Sequence, residues 1–116
     1  MSWGIVLLKV PNGVKSLSEL PKDYSPLPLG TLDDIFDMLK ALLPDIDFSD
    51  PHWGVLATGT YSIEFNIGNE DPVESIVLSV RGAVLDTIEE ICQMASWQAF
   101  DTLTGDRMYF GKNTEG

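Results

Sequence analysis

The chain has 116 residues, 44% of them hydrophobic, with 18 acidic against 7 basic side chains and a net charge of −11. That length suits a single domain with one core, and the apolar content excludes a disordered chain. The charge opposes nucleic acid and anionic lipid, since phosphate binding needs clustered Lys and Arg, and it reads as suited to a basic protein partner or simply to solubility.

The opening Met-Ser-Trp-Gly-Ile-Val-Leu-Leu-Lys has a short apolar run without a basic segment or a small-residue cleavage site. It does not read as a signal peptide. No stretch approaches the roughly 20 apolar residues of a membrane span, so a cytoplasmic protein with no membrane association is expected. Trp3 to Val10 is nearly continuous in apolar residues and predicts a strand buried on both faces, central in its sheet. Residues 11–30 carry four prolines and little periodicity. Ser16 as a cap and Glu19 three residues on predict one helical turn there. Leu17, Leu20, Tyr24, Leu27 and Leu29 predict that the segment packs on the body.

Thr31 is an N-cap candidate, with Asp33 and Asp34 at the positive end of the helix that follows. Leu32, Ile35, Phe36, Leu39, Leu42 and Leu43 keep the spacing of a single apolar face, and Pro44 stops the helix. Asp45 to Pro51 reads as a turn, and Trp53 to Thr58 as a short strand made irregular by Gly54. The strongest pattern is Tyr61 to Gly82. Tyr61, Ile63, Phe65 and Ile67 alternate with Ser62, Glu64 and Asn66, and after Gly-Asn-Glu-Asp-Pro, Ile76, Leu78 and Val80 alternate with Ser75, Val77, Ser79 and Arg81. Period two on both sides of a turn-forming loop predicts an antiparallel hairpin. Ala83 to Trp97 predicts a second helix, with Leu85, Ile88, Ile91, Cys92 and Ala95 inward and Asp86, Glu89, Glu90 and Gln93 outward. Ala99 to Thr102 reads as a short strand, Leu103 to Arg107 as a tight turn, and Met108 to Phe110 as a last strand or extended tail.

The predicted order is β-α-β-β-β-α-β. It describes an α+β two-layer sandwich, a mostly antiparallel sheet of four to five strands with two helices on one face. One domain over residues 1–110 with a frayed tail at 111–116 is expected. The run from Asp47-Phe-Ser-Asp-Pro-His-Trp-Gly through Tyr-Ser-Ile-Glu-Phe-Asn-Ile-Gly-Asn-Glu-Asp-Pro-Val to Val80-Arg-Gly resembles a family of small, uncharacterised, acidic bacterial proteins. The resemblance covers the middle third of the chain and implies a bacterial cytosolic origin. It carries over no catalytic residues.

Candidate sites are few. Cys92 is the single cysteine, so an intramolecular disulfide and a cysteine-based zinc centre are excluded, and it reads as a buried small hydrophobe. Asp45, Asp47 and Asp50 invite a calcium reading, but an EF-hand loop from Asp45 needs Gly where Asp50 stands and Glu where Leu56 stands. No metal and no cofactor is expected. Asp50, His52 and Glu64 are the one set resembling acid–base machinery; no nucleophile elbow, second histidine or phosphate loop accompanies them. The hairpin register puts Ser62, Glu64 and Asn66 beside Val77, Ser79 and Arg81, with Arg81 diagonal to Glu64. Because two helices cover one sheet face, the other reads as a recognition surface or a plain solvated face. A tryptophan among Trp3, Trp53 and Trp97 left exposed on that face would mark an interface. The favoured expectation is a non-enzymatic protein-binding module of inhibitor or immunity type. Its binding residues would be Ser62, Glu64, Asn66, Ser79 and Arg81 with Asp50 and His52, and its partner a basic protein. The alternative is a small enzyme or ligand-binding domain with a site near His52 and Glu64.

Overall fold

The computed structural model describes residues 3–11, 13–21, 23–24, 26–50 and 52–108. Six strands form one antiparallel sheet: β1 (Trp3–Leu8), β2 (Asp47–Asp50), β3 (Trp53–Ala57), β4 (Tyr61–Asn66), β5 (Ile76–Gly82) and β6 (Gln98–Asp101). Two α-helices, α1 (Leu32–Leu42) and α2 (Leu85–Ala95), and a 3-10 turn at Leu17–Glu19 are the other elements among the described residues. The strand order is β2-β3-β4-β5-β1-β6, with every neighbouring pair antiparallel. The fold is α+β, and the expected hairpin is its centre. Glu64 lies opposite Ser79 and Phe65 opposite Leu78, the register that the alternation of apolar residues predicts.

Ile63, Phe65, Ile76, Leu78 and Val80 are buried with Ile5, Leu7 and Leu56 from the flanking strands. Ile35 and Leu39 of α1 and Ile88 and Ile91 of α2 belong to the same core. Both helices therefore cover the same side of the sheet, because each has a single apolar stripe to bury.

Three departures from the sequence reading have physical causes. Residues 47–50, expected as a turn, form the edge strand β2, so the sheet has six strands and the order gains one. An acidic, short strand gives no alternating signal, yet its backbone pairs with β3 and Phe48 turns inward onto Gly54 and the Phe36 ring, whose centroid is 4.9 Å away. A Cβ on Gly54 would stand 2.6 Å from the Phe48 ring, so this glycine makes room for an aromatic side chain and does not disrupt β3. The second helix runs only from Leu85 to Ala95, and its stripe is rotated from expectation: Leu85 is exposed while Thr87 and Glu89 are buried. Thr87 Oγ1 donates to Tyr61 Oη at 3.0 Å and Glu89 accepts from Gln93 Nε2 at 3.2 Å, so polar partners permit that burial.

The third departure concerns β1, which lies next to the edge strand β6 and not at the sheet centre. It is covered on both sides, but by unequal means. Ile5 and Leu7 face the helices; Leu8 joins Val10, Val14 and Phe100 in a second small core, with Val6, Leu17, Leu20 and Tyr24 packed against it. The Pro-rich connection is thus a cover for β1 and β6, pinned by Val10 N donating to Gln98 Oε1 at 2.9 Å and Leu17 N donating to Gly105 O at 2.8 Å. The 3-10 turn forms where Ser16 predicts it, with Ser18 N donating to Ser16 Oγ at 3.3 Å. The extended end expected at 108–110 begins with Met108 N donating to Ala99 O. Its last two residues and the expected frayed tail lie outside the described residues.

Candidate functional site

Successive side chains of a strand point to opposite faces, so the ladder registers fix what the face away from the helices displays. One row across the sheet is Trp53, Asn66, Val77 and Val6; the next is Val55, Glu64, Ser79 and Gly4; a third is Ala57, Ser62 and Arg81. On the β6 side this face is closed by the second core. Toward β2 no other part of the described chain lies over it. Trp53 and Val77 are 41% and 42% exposed, high values for large apolar side chains inside regular strands. Glu64, Asn66, Ser79 and Arg81 are exposed with them, and Ser62 is half-buried.

Five of the residues expected from the sequence are therefore on one surface. Arg81 is diagonal to Glu64 as expected, but no ion pair joins them. Both head groups stay in water, where an exposed pair contributes little.

His52 and Asp50 sit apart from that group, at the β2–β3 turn. Asp50 Oδ1 accepts from the His52 backbone N at 2.9 Å and lies 3.4 Å from His52 Nδ1. This is a turn in which the aspartate stands in for a backbone acceptor. His52 O accepts from Ile67 N, which places His52 three ladder steps from Glu64, about 10 Å along the strands. The Asp50, His52 and Glu64 set is not assembled for proton transfer. Asp45, Asp47 and Asp50 do not converge either: among the described residues no group of three or more His, Cys, Asp or Glu could hold a metal ion.

No protein-family model, curated protein or solved structure matches this chain.

The sequence raises Trp53 as one of three tryptophans and Val77 as a register neighbour, but does not join them with Val55 into the apolar part of the surface. The signal was present in Trp-Gly-Val-Leu-Ala. Leu56 is buried, so Trp53 and Val55, at odd spacing from it, belong to the opposite face. The other tryptophans behave differently. Trp97 is buried in the core. Trp3 lies on the helix side, near the start of α2, and its Nε1 donates to Asp101 Oδ2 at 2.9 Å. The Leu103 backbone N–H and then that indole hold the Asp101 carboxyl below its ordinary range. Only Trp53 is left on the open face.

Beside Trp53 the sheet ends in a groove of about 280 Å³ lined by Asp47, Ser49, Asp50, Trp53 and Val55. The surface can bury aromatic and aliphatic area at its centre and offer carboxylates, amides and hydroxyls at its rim. That is the anatomy of a protein-binding patch. Nothing in it supplies a positioned nucleophile. Cys92, the one thiol, is buried in the main core, and burial pushes it up to about 12, with the Arg107 charge opposing weakly. It is a packing residue.

Proposed function

We infer that this chain is a non-enzymatic binding protein that uses the open face of β2, β3, β4 and β5 to hold a basic protein. The reading rests on one observation above all. Trp53, Val55 and Val77 are presented on regular strands, with Ser62, Glu64, Asn66, Ser79 and Arg81 around them and no element of the described chain to cover them. Exposed aromatic area on a rigid scaffold is a poor choice for solubility alone, whereas it is what an interface centre needs. Charge supplies the sign of the partner. With 18 acidic side chains against 7 basic, the field around the molecule attracts cationic surfaces. An inhibitor or immunity-type module, which must hold its target without transforming it, fits this description. The resemblance of residues 47–82 to small acidic bacterial proteins supports a bacterial, cytoplasmic setting for it. No helix among the described residues is long and apolar enough to cross a membrane. An enzymatic site near His52 and Glu64 has less support, because the two stand about 10 Å apart along the strands.

The test is capture by the folded chain and by its Ser79→Arg variant. Ser79 is exposed at the middle of the face, so a long cation there blocks docking and repels a basic partner without disturbing the core. A basic protein should be retained by the native chain and lost by the variant. Retention by both would mean that binding, if real, uses another surface.

A further inference from the structure

The margin of the open face indicates what kind of segment a partner inserts, an inference that rests on the binding reading above. β2 is a terminal strand, and among the described residues no backbone hydrogen bond reaches Asp47–Asp50 from its outer side. The opposite margin is closed. Beyond β6, Asp101 N donates to Asp106 O at 2.9 Å and Met108 N to Ala99 O at 2.8 Å, with a bridge between Phe100 and Arg107. Among the described residues, β2 is therefore the end of the sheet whose outer edge stays open to an additional strand.

That edge adjoins the groove beside Trp53. Each of its two carboxylates has one oxygen engaged within the chain. Asp47 Oδ1 accepts from Ser49 Oγ at 2.9 Å, and Asp50 Oδ1 accepts from the His52 backbone N. Their Oδ2 atoms receive no hydrogen bond from the described residues, and both side chains are exposed. The groove thus combines an indole wall and two carboxylates with acceptor capacity to spare, and it borders a strand edge that no described backbone group pairs.

We propose that β2 and this groove receive an extended basic segment of the partner protein, its backbone pairing with the β2 edge and an arginine or lysine side chain seating over Trp53 between Asp47 and Asp50. Strand addition supplies main-chain hydrogen bonds, and the groove supplies selectivity for the side chain. A cation over an indole gains from the ring quadrupole, and two carboxylates within reach strengthen it by charge-assisted hydrogen bonds. Charge complementarity also selects among occupants. A second copy of this chain would bring its own Asp47 and Asp50 against this pair, and like charges on paired edges repel. A nucleic acid or an anionic lipid headgroup is repelled in the same way.

The experiment uses the whole chain, isotope-labelled, titrated with a blocked six-residue peptide alternating arginine and valine. Matched peptides carry citrulline or glutamate in place of arginine. Saturable amide shifts over residues 47–55 are expected with the arginine peptide, with affinity falling about tenfold or more for citrulline and no binding for glutamate. Trp53→Ala and the Asp47→Asn, Asp50→Asn pair should each weaken the arginine peptide by about tenfold, with the rest of the spectrum unchanged. The proposal is overturned if millimolar arginine peptide gives no saturable shift, if the shifts map elsewhere, or if citrulline binds equally well. It is also overturned if sedimentation shows that the chain pairs with itself through residues 47–55. Should the peptide fail while partner capture still depends on Ser79, the edge assignment falls and the binding reading stands. Loss of both would remove the two together.

Discussion

Cys92 illustrates how one side chain's chemistry follows from its surroundings. A thiol in water ionises near 9; this one, packed with the main core, is pushed up to about 12 because a thiolate there would lose its hydration. At neutral pH it should resist alkylation, and labelling should proceed only as fast as the fold opens. Reaction with a thiol reagent in native buffer at the rate of a free cysteine would contradict the burial. The linkage has a definite sign. The folded value lies above the unfolded one, so below pH 9 the thiol is neutral in both states and costs nothing. Between 9 and about 12 the unfolded chain releases the proton first, and stability falls as pH rises. Phe65 makes the same point through volume. It is fully buried near the end of β4, opposite Leu78, so Phe65→Ala should cost about 3–5 kcal/mol in denaturant unfolding. A loss under about 1 kcal/mol would mean that the surrounding chains collapse into the space with unusual ease.

Helix α1 shows what an element needs beyond its own stripe. Thr31 Oγ1 accepts from Asp34 N at 3.1 Å, as the sequence implies, and Thr31→Ala should cost about 1 kcal/mol. A second cap comes from far along the chain. Asp71 Oδ1, in the loop between β4 and β5, accepts from Leu32 N at 3.1 Å. The same loop pairs with the residues before the helix, since Leu29 N donates to Val73 O at 2.7 Å and Val73 N to Gly30 O at 2.8 Å. The hairpin loop therefore anchors the helix to the sheet. Asp71→Ala should destabilise by a comparable amount, and the double variant by less or more than the sum, since both side chains cap the same first turn. Urea unfolding of the two single variants and the double variant measures that coupling.

For the whole molecule, electrostatics sets the rate of encounter more than its strength. Asp33, Asp37, Asp86 and Glu90 are exposed on the helices, and Asp45, Asp47, Asp50, Glu70 and Asp71 are exposed around the sheet. Glu89, expected among them, is buried and hydrogen-bonded by Gln93, so it contributes less to the outer field. Charges at the surface are screened beyond about 10 Å at 0.1 M salt, so association with a basic partner should slow steeply as salt rises while dissociation changes little. Stopped-flow association across a salt series checks this. Neutralising Asp33 and Asp37, far from the open face, should lower the on-rate slightly and leave the off-rate alone. An on-rate indifferent to salt would sink the steering mechanism even where binding itself persists.

What the sequence determined alone follows from local periodicity. The hairpin, its register, the inward set Ile63, Phe65, Ile76, Leu78 and Val80, the single stripe of α1 and the Thr31 cap all follow from spacing and side-chain chemistry within a few residues. Ser62, Glu64, Asn66, Ser79 and Arg81 are placed on one face by the same parity. The remaining features depend on partners distant in the chain. β2 exists because β3 offers it a ladder and Gly54 leaves room for Phe48, and no property of Asp-Phe-Ser-Asp requires a strand. The rotation of α2, with Leu85 out and Glu89 in, is set by where the sheet lies and by Gln93 and Tyr61 as polar partners. The Pro-rich segment covers β1 because Val6 and Leu8 of β1 and Phe100 of β6 meet there from two distant places in the chain. The candidate site shares this division. Its polar rim is a pattern within one hairpin, whereas its centre, Trp53 with Val55 and Val77, appears only when β3 aligns beside the hairpin and no described residue closes over them. Periodicity reports which side of a strand is apolar. Only the assembled sheet decides which of those sides remains in water.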